Sequence, residues 1–124
     1  MLLNAELAPS FEENRTQLEI TTGFKKDNEL LKTRLVGHAY LPVGADTYEI
    51  KLMMLPKHTY YLHKNRDSIH LYTVFAKRVE LGEEKKFLNP VGVGQLSKSL
   101  ENYIELYFPL LGKVLFIDLI PRNA

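Results

Sequence analysis

TYEIKLMM, residues 47–54, alternates without a break. Tyr48, Ile50, Leu52 and Met54 fall on one side of an extended chain. Thr47, Glu49, Lys51 and Met53 fall on the other. Successive side chains of a strand point to opposite faces, so the stretch reads as a strand with one dry face and one wet face. Two further stretches follow the same rule. In QLEITTGF, Leu18, Ile20, Thr22 and Phe24 share a face, and in ENYIELYF, Ile104, Leu106 and Phe108 do. Leu31, Thr33, Leu35, Gly37 and Ala39 carry the period of two through DNELLKTR and beyond, so that stretch reads as a turn leading into a strand.

Turn formers separate the runs at 25–29, 42–46, 64–68, 81–85, 97–102 and 109–113. No long helical pattern fits between them. The spacing predicts one all-β domain over residues 1–124, an antiparallel meander of about eight strands. A sheet of that size closes as a small barrel or folds as a sandwich, because open edges invite aggregation. At most one short helix is expected, near the N-terminus at residues 10–15, where Ser10 and Glu13 fit a capping box after Pro9. Residues 1–14 are a candidate N-terminal arm. Gly37, Gly92 and Gly94 sit inside strand patterns, which points to a bulge, a bend or the close approach of another backbone. Residues 36–65 and 91–120 echo one another as strand, turn, strand, turn, strand, a candidate internal repeat.

Composition narrows the function. The chain has 124 residues, 45% of them hydrophobic and 25% charged, enough for one core. It has no cysteine, which removes disulfides and thiolate chemistry. The net charge of +1 provides no overall field for nucleic acid or an anionic membrane. MLLNAELAPSFEEN lacks the basic start of a signal peptide, and no apolar run is long enough for a membrane helix. A cytoplasmic protein without a membrane partner is expected.

YYLHKNRDSIHLY, residues 60–72, is nearly palindromic and reads as a hairpin. A four-residue loop, Asn65 to Ser68, would pair Lys64 with Ile69, His63 with His70, Leu62 with Leu71 and Tyr61 with Tyr72. Leu62, Ile69 and Leu71 would point inward. Tyr61, His63, His70 and Tyr72 would form one outward patch, a candidate contact surface. Two imidazoles are too few for a zinc site, so no metal ligand is assigned.

No phosphate-binding loop, dinucleotide-binding unit or nucleophile elbow occurs. The carboxylate pairs Glu12–Glu13, Glu83–Glu84 and Glu101–Glu105 read as solvated. An enzyme is not expected, and neither a catalytic residue nor a cofactor is assigned. Val114, Phe116 and Ile120 alternate with Leu115, Ile117 and Leu119, so the last strand is apolar on both faces. Such a strand is central in a sandwich or docked on a partner. The first reading is therefore a non-enzymatic binding module in protein–protein assembly, most simply a homo-oligomer subunit. The alternative is single-stranded nucleic-acid binding, since the pattern is similar to small OB-like barrels that stack bases on exposed Tyr beside Lys and Arg. Lys25, Lys26, Lys32, Arg34, Lys77 and Arg78 are the candidate contacts, with Lys85 and Lys86 nearby. A small enzyme or metal-binding protein comes third.

Overall fold

The computed structural model describes residues 15–109 and 111–121. Its eight strands are β1 (Arg15–Lys26), β2 (Glu29–Pro42), β3 (Thr47–Leu52), β4 (Tyr60–Lys64), β5 (Leu71–Leu81), β6 (Glu84–Leu96), β7 (Tyr103–Phe108) and β8 (Lys113–Asp118). Each is antiparallel to the next, and β8 returns to β1 through Ile20↔Ile117 and Thr21↔Phe116. The result is one closed ring-like sheet, as the alternation predicts. The stretch 27–34 is turn and strand, as expected. The helix expected at 10–15 and the arm at 1–14 lie outside the described residues, apart from Arg15, which opens β1.

Alternation fills the ring. Ile20, Ile50, Leu52, Leu62, Val74, Ile104, Leu106, Leu115 and Ile117 all point inward and are fully buried. Burying each such side chain contributes roughly 1.5–3 kcal/mol of transfer free energy. Charged residues such as Glu49, Lys51 and Glu105 alternate with them on the outside. This inverts the membrane-spanning barrel, whose apolar side chains face outward. No helix among the described residues is long and apolar enough to cross a membrane.

Two bulges help the sheet curl into a ring. Ile20 pairs with Gly37 and Thr21 with Leu35, which leaves Val36 as an extra residue. Val74 pairs with Gly92 and Phe75 with Pro90, which leaves Val91. Bulges sharpen the local twist, and both extra valines pack against the core. The neighbouring glycines explain themselves. A Cβ on Gly37 would strike the Lys51 carbonyl and the Leu52 Cα. One on Gly92 would lie 2.5 Å from the Tyr107 carbonyl oxygen. Of the readings left open for these positions, close backbone approach beside a bulge is the one that occurs.

The two halves pair alike. Ile20↔Gly37 answers to Val74↔Gly92, and Ala39↔Ile50 to Gly94↔Leu106. Tyr48↔Leu62 answers to Ile104↔Ile117, and Leu62↔Val74 to Ile117↔Ile20. The correspondence joins β1–β4 to β5–β8, one strand more than the echo at 36–65 and 91–120. It also moves the middle strand. After a one-residue slip in the echo, the run Tyr48–Leu52 matches Asn102–Leu106 and sets Ile50 on Ile104, whereas the registers set it on Leu106. The shift is two residues, so inward positions stay inward.

The corresponding hairpins β1–β2 and β5–β6 are much longer than the other strand pairs and extend past the ring as two arms. Their turns differ. Asp27 and Asn28 both have positive φ, 51° and 68°, as a type I′ turn needs. Gly82 alone is positive in the second, at 65°, the position where a type II′ turn takes glycine.

Candidate binding surface

The palindromic hairpin is paired differently from the expectation. Tyr61 lies opposite Phe75, Leu62 opposite Val74, His63 opposite Thr73, and Lys64 opposite Tyr72. The register differs by three residues, an odd number, so β5 turns over. Tyr72 points inward and is only 9% exposed, while Leu71 and Ile69 are 43% and 66% exposed. His70 stays in the loop and is exposed. The expected patch of four therefore keeps only Tyr61 and His63. The physical reason is the neighbour on the other side. Val74 must face inward opposite Gly92, and that sets β5. The connection lengthens to Asn65–His70, closed by Asn65 N–H to the Leu71 carbonyl at 2.9 Å and Thr73 Oγ1 to Asn65 Oδ1 at 2.9 Å. Burial raises the Tyr72 hydroxyl above its usual pKa; burial, and then Tyr72 itself, do the same to Tyr48.

Tyr61 and His63 instead belong to an aromatic cluster under the second arm. Phe87 on β6 sits 5.6 Å from the Tyr61 ring, 5.1 Å from His63 and 5.9 Å from Phe75. Thr47 Oγ1 and His63 Nδ1 share a hydrogen bond of 2.6 Å. Arg78 lies over the Tyr61 ring at 5.1 Å and donates to Glu49 at 3.3 Å. A cleft of about 450 Å³ separates this arm from the Pro42–Thr47 loop. The sequence marks Glu49 only as an outward residue and carries no signal that draws Phe75 and Phe87 to it. The only local signal was a hairpin too long for its half-ring, and its direction is a tertiary property.

The first arm is fastened in the same manner. Lys25 reaches across β8 to Glu105 on β7, at 3.0 Å. In the ladder, Glu49, Tyr61 and Phe75 correspond to Glu105, Phe116 and Thr21. Each arm thus anchors a cation on a glutamate two strands away, Arg78 on Glu49 and Lys25 on Glu105. Phe116 is almost fully buried although it faces outward. It lies beside Thr22, Gly23, Phe24 and Lys32 of the first arm. On the second apolar face of β8, expected to be central in a sandwich or docked on a partner, Phe116 is thus buried within the chain itself.

Burial works to raise the Glu105 pKa, but hydrogen bonds from Ser97 and Lys25 and the Lys25 charge outweigh it, and the value is lowered. A lowered carboxylate stabilises above its unfolded value, about 4.3, and that contribution is lost as pH falls through the folded value. Acidification from about pH 6 to about pH 3 should therefore free the first arm. Amide exchange of Phe24 and Leu30, corrected for intrinsic rates, should quicken in the native chain. In Glu105→Gln it should already be fast at neutral pH. Identical exchange in both proteins at every pH would refute the anchor.

The candidate nucleic-acid contacts do not converge. Lys25, Lys26, Lys32 and Arg34 lie on the first arm, and Lys77 and Arg78 on the second. The arms are separated by β3–β4 one way round the ring and by β7–β8 the other. Lys25 and Arg78 are also engaged by Glu105 and Glu49. Among the described residues no three His, Asp or Glu side chains come together as a metal cluster.

A contiguous row of exposed apolar residues lies elsewhere. Val93, Tyr107 and Val114 are consecutive partners across β6, β7 and β8. They are 55%, 45% and 41% exposed. Together with Leu71 they border a groove of about 350 Å³, rimmed by Asn65, Thr73, Gln95 and Glu105. The corresponding row on the other half reads Glu19, His38 and Lys51, matching Thr73, Val93 and Tyr107. The positions of Val93 and Tyr107 are thus polar in one half and apolar in the other. No protein family, curated protein or solved structure matches the chain.

Proposed function

We propose that this chain is a non-enzymatic binding module, a subunit that joins a protein assembly through the outer face of β6–β8. The carrying observation is the Val93–Tyr107–Val114 row. The related positions His38 and Lys51 are polar, so the fold does not require apolar residues at Val93 and Tyr107. A contiguous exposed apolar patch with a polar rim is the usual form of a protein contact surface. The interior supports the same reading, because aliphatic side chains fill the ring and leave the outside as the working surface.

Nucleic-acid binding ranks second, since Lys25 and Arg78 are held by carboxylates. Catalysis and metal binding rank third. Glu105 is fastened as an anion by Ser97 and Lys25, which suits an anchor better than a proton carrier.

Sedimentation across a wide concentration range tests the proposal. The native chain should self-associate with little dependence on salt, unlike a nucleic-acid complex. Val93→Lys with Tyr107→Lys should weaken the association by about tenfold or more, with the thermal midpoint nearly unchanged. A chain that stays monomeric throughout, or association indifferent to both substitutions, would overturn it.

A further inference from the structure

One side of the cleft beneath the second arm is a wall of rings. Tyr61, His63 and Phe87 line it, with Phe87 5.6 Å from Tyr61 and 5.1 Å from His63. The facing loop, Pro42–Asp46, carries the small residues Gly44 and Ala45. The other half of the ring indicates that anchoring an arm does not need this wall. Thr47↔His63 answers to Tyr103↔Asp118, and Arg78↔Phe87 to Lys25↔Leu30. Lys25 still reaches Glu105 there, with Leu30 and Asp118 in place of Phe87 and His63. The loops differ as well. Ser97 Oγ donates to Glu105 at 2.6 Å and accepts from the Leu100 N–H at 3.0 Å, and Leu100 is buried. In the related loop 42–46 the large apolar residue, Val43, is exposed.

Hydrogen bonding sets the His63 ring. Thr47 has one hydroxyl hydrogen, and it donates to Asp46 Oδ1 at 3.3 Å. His63 Nδ1–H must then be the donor of the 2.6 Å bond to Thr47 Oγ1. In the neutral ring that leaves Nε2 as an acceptor without a hydrogen. The formal charges of the cleft cancel, Arg78 and Lys85 against Asp46 and Glu49, so nothing there selects for a charged ligand. Its volume of about 450 Å³ lies toward the smaller end of ligand sites, roughly 300–1,000 Å³. We propose that the cleft binds one uncharged planar heterocycle bearing its own N–H donors, the chemistry of a nucleobase. The ring lies against the aromatic wall and gives an N–H to His63 Nε2. Such a ring could arrive as a free nucleoside or as one base of a strand. The cations of the two arms do not converge into a backbone path, which favours the free nucleoside.

The site does not involve the β6–β8 face, so its test is independent of association. Adenosine, guanosine, cytidine and uridine are titrated separately into the isotope-labelled full chain and followed by NMR. At least one should bind with a dissociation constant of about 1 mM or tighter. It should move the amide resonances of Thr47, His63 and Phe87 and leave those of Val93 and Tyr107 in place. Its N-methylated analogue, lacking the base N–H, should bind more weakly by about fivefold or more. Phe87→Leu installs the side chain that the first arm has at that place, and should weaken binding by about tenfold or more. Ala45→Phe fills the cleft from its exposed loop, leaves the aromatic wall intact, and should abolish binding. Failure of all four nucleosides to move these resonances at millimolar concentration would overturn the proposal. So would an N-methylated analogue that binds equally well, or binding indifferent to both substitutions. A single-stranded DNA oligomer bound far more tightly than any nucleoside, and lost steeply with salt, would overturn the free nucleoside and favour a strand.

Discussion

Gly37→Ala lowers the stability of the ring by about 3 kcal/mol or more, the upper range for overpacking. The added methyl would meet the carbonyl of Lys51 and the Cα of Leu52. Both belong to the backbone of β3, paired with β2 at Gly37↔Leu52, so neither can swing aside. Relief requires β2 and β3 to separate beside the Val36 bulge. For a chain of this size the thermal midpoint should fall by about 10 °C or more. Gly23→Ala is the internal comparison. There the methyl meets the end of the Leu30 side chain, which can move, and the expected cost is below about 1 kcal/mol. Thermal melts of the two variants side by side give the result. Equal midpoints would mean that close approach at Gly37 is not what excludes a side chain.

Leu62→Ala should cost about 3–5 kcal/mol, the upper part of the range for a buried leucine. Leu62 has no exposed surface. Its Cδ1 occupies space beside Gly94, only 3.1 Å from where a Cβ would stand. Gly94 has no side chain with which to fill the cavity that truncation leaves. Neighbours on both sides, Tyr48 on β3 and Val74 on β5, are fixed by the closed ladder. Urea denaturation should give a lower midpoint at unchanged slope. A loss under about 1.5 kcal/mol would mean that the ring collapses to fill the space.

Most of the fold could be read locally because the information was local. Alternation in 47–52 and 103–108 depends on backbone geometry alone, whereas Met54, expected on the dry face, lies past the end of β3 and is exposed; each turn depends on a few residues with the right φ. The glycine positions gave advance notice of close approach for the same reason. The candidate site was less legible. YYLHKNRDSIHLY satisfies an inward–outward pattern in more than one register, and its neighbour β6 selects between them. Tyr72 therefore went inward against the local reading. Phe87, Arg78 and Glu49 meet only because an arm leans across a strand remote in sequence. Phe116 illustrates the same limit. Its apolar character indicated a cover, but could not distinguish burial within the chain from another molecule.

The order of pairing round the ring bears on how the chain folds. Seven of the eight ladders join strands adjacent in sequence, and only β1 with β8 joins distant ones. Each adjacent ladder closes a short loop, so its entropic cost is small and the meander can zip up hairpin by hairpin. The two long hairpins have the most local hydrogen bonds to gain and are the natural nuclei, one in each half. Ring closure waits for the longest loop in the molecule. A refolding chain should therefore protect the amides of Leu30 and Phe87 before those of Thr21 and Phe116, which face each other across the closing seam.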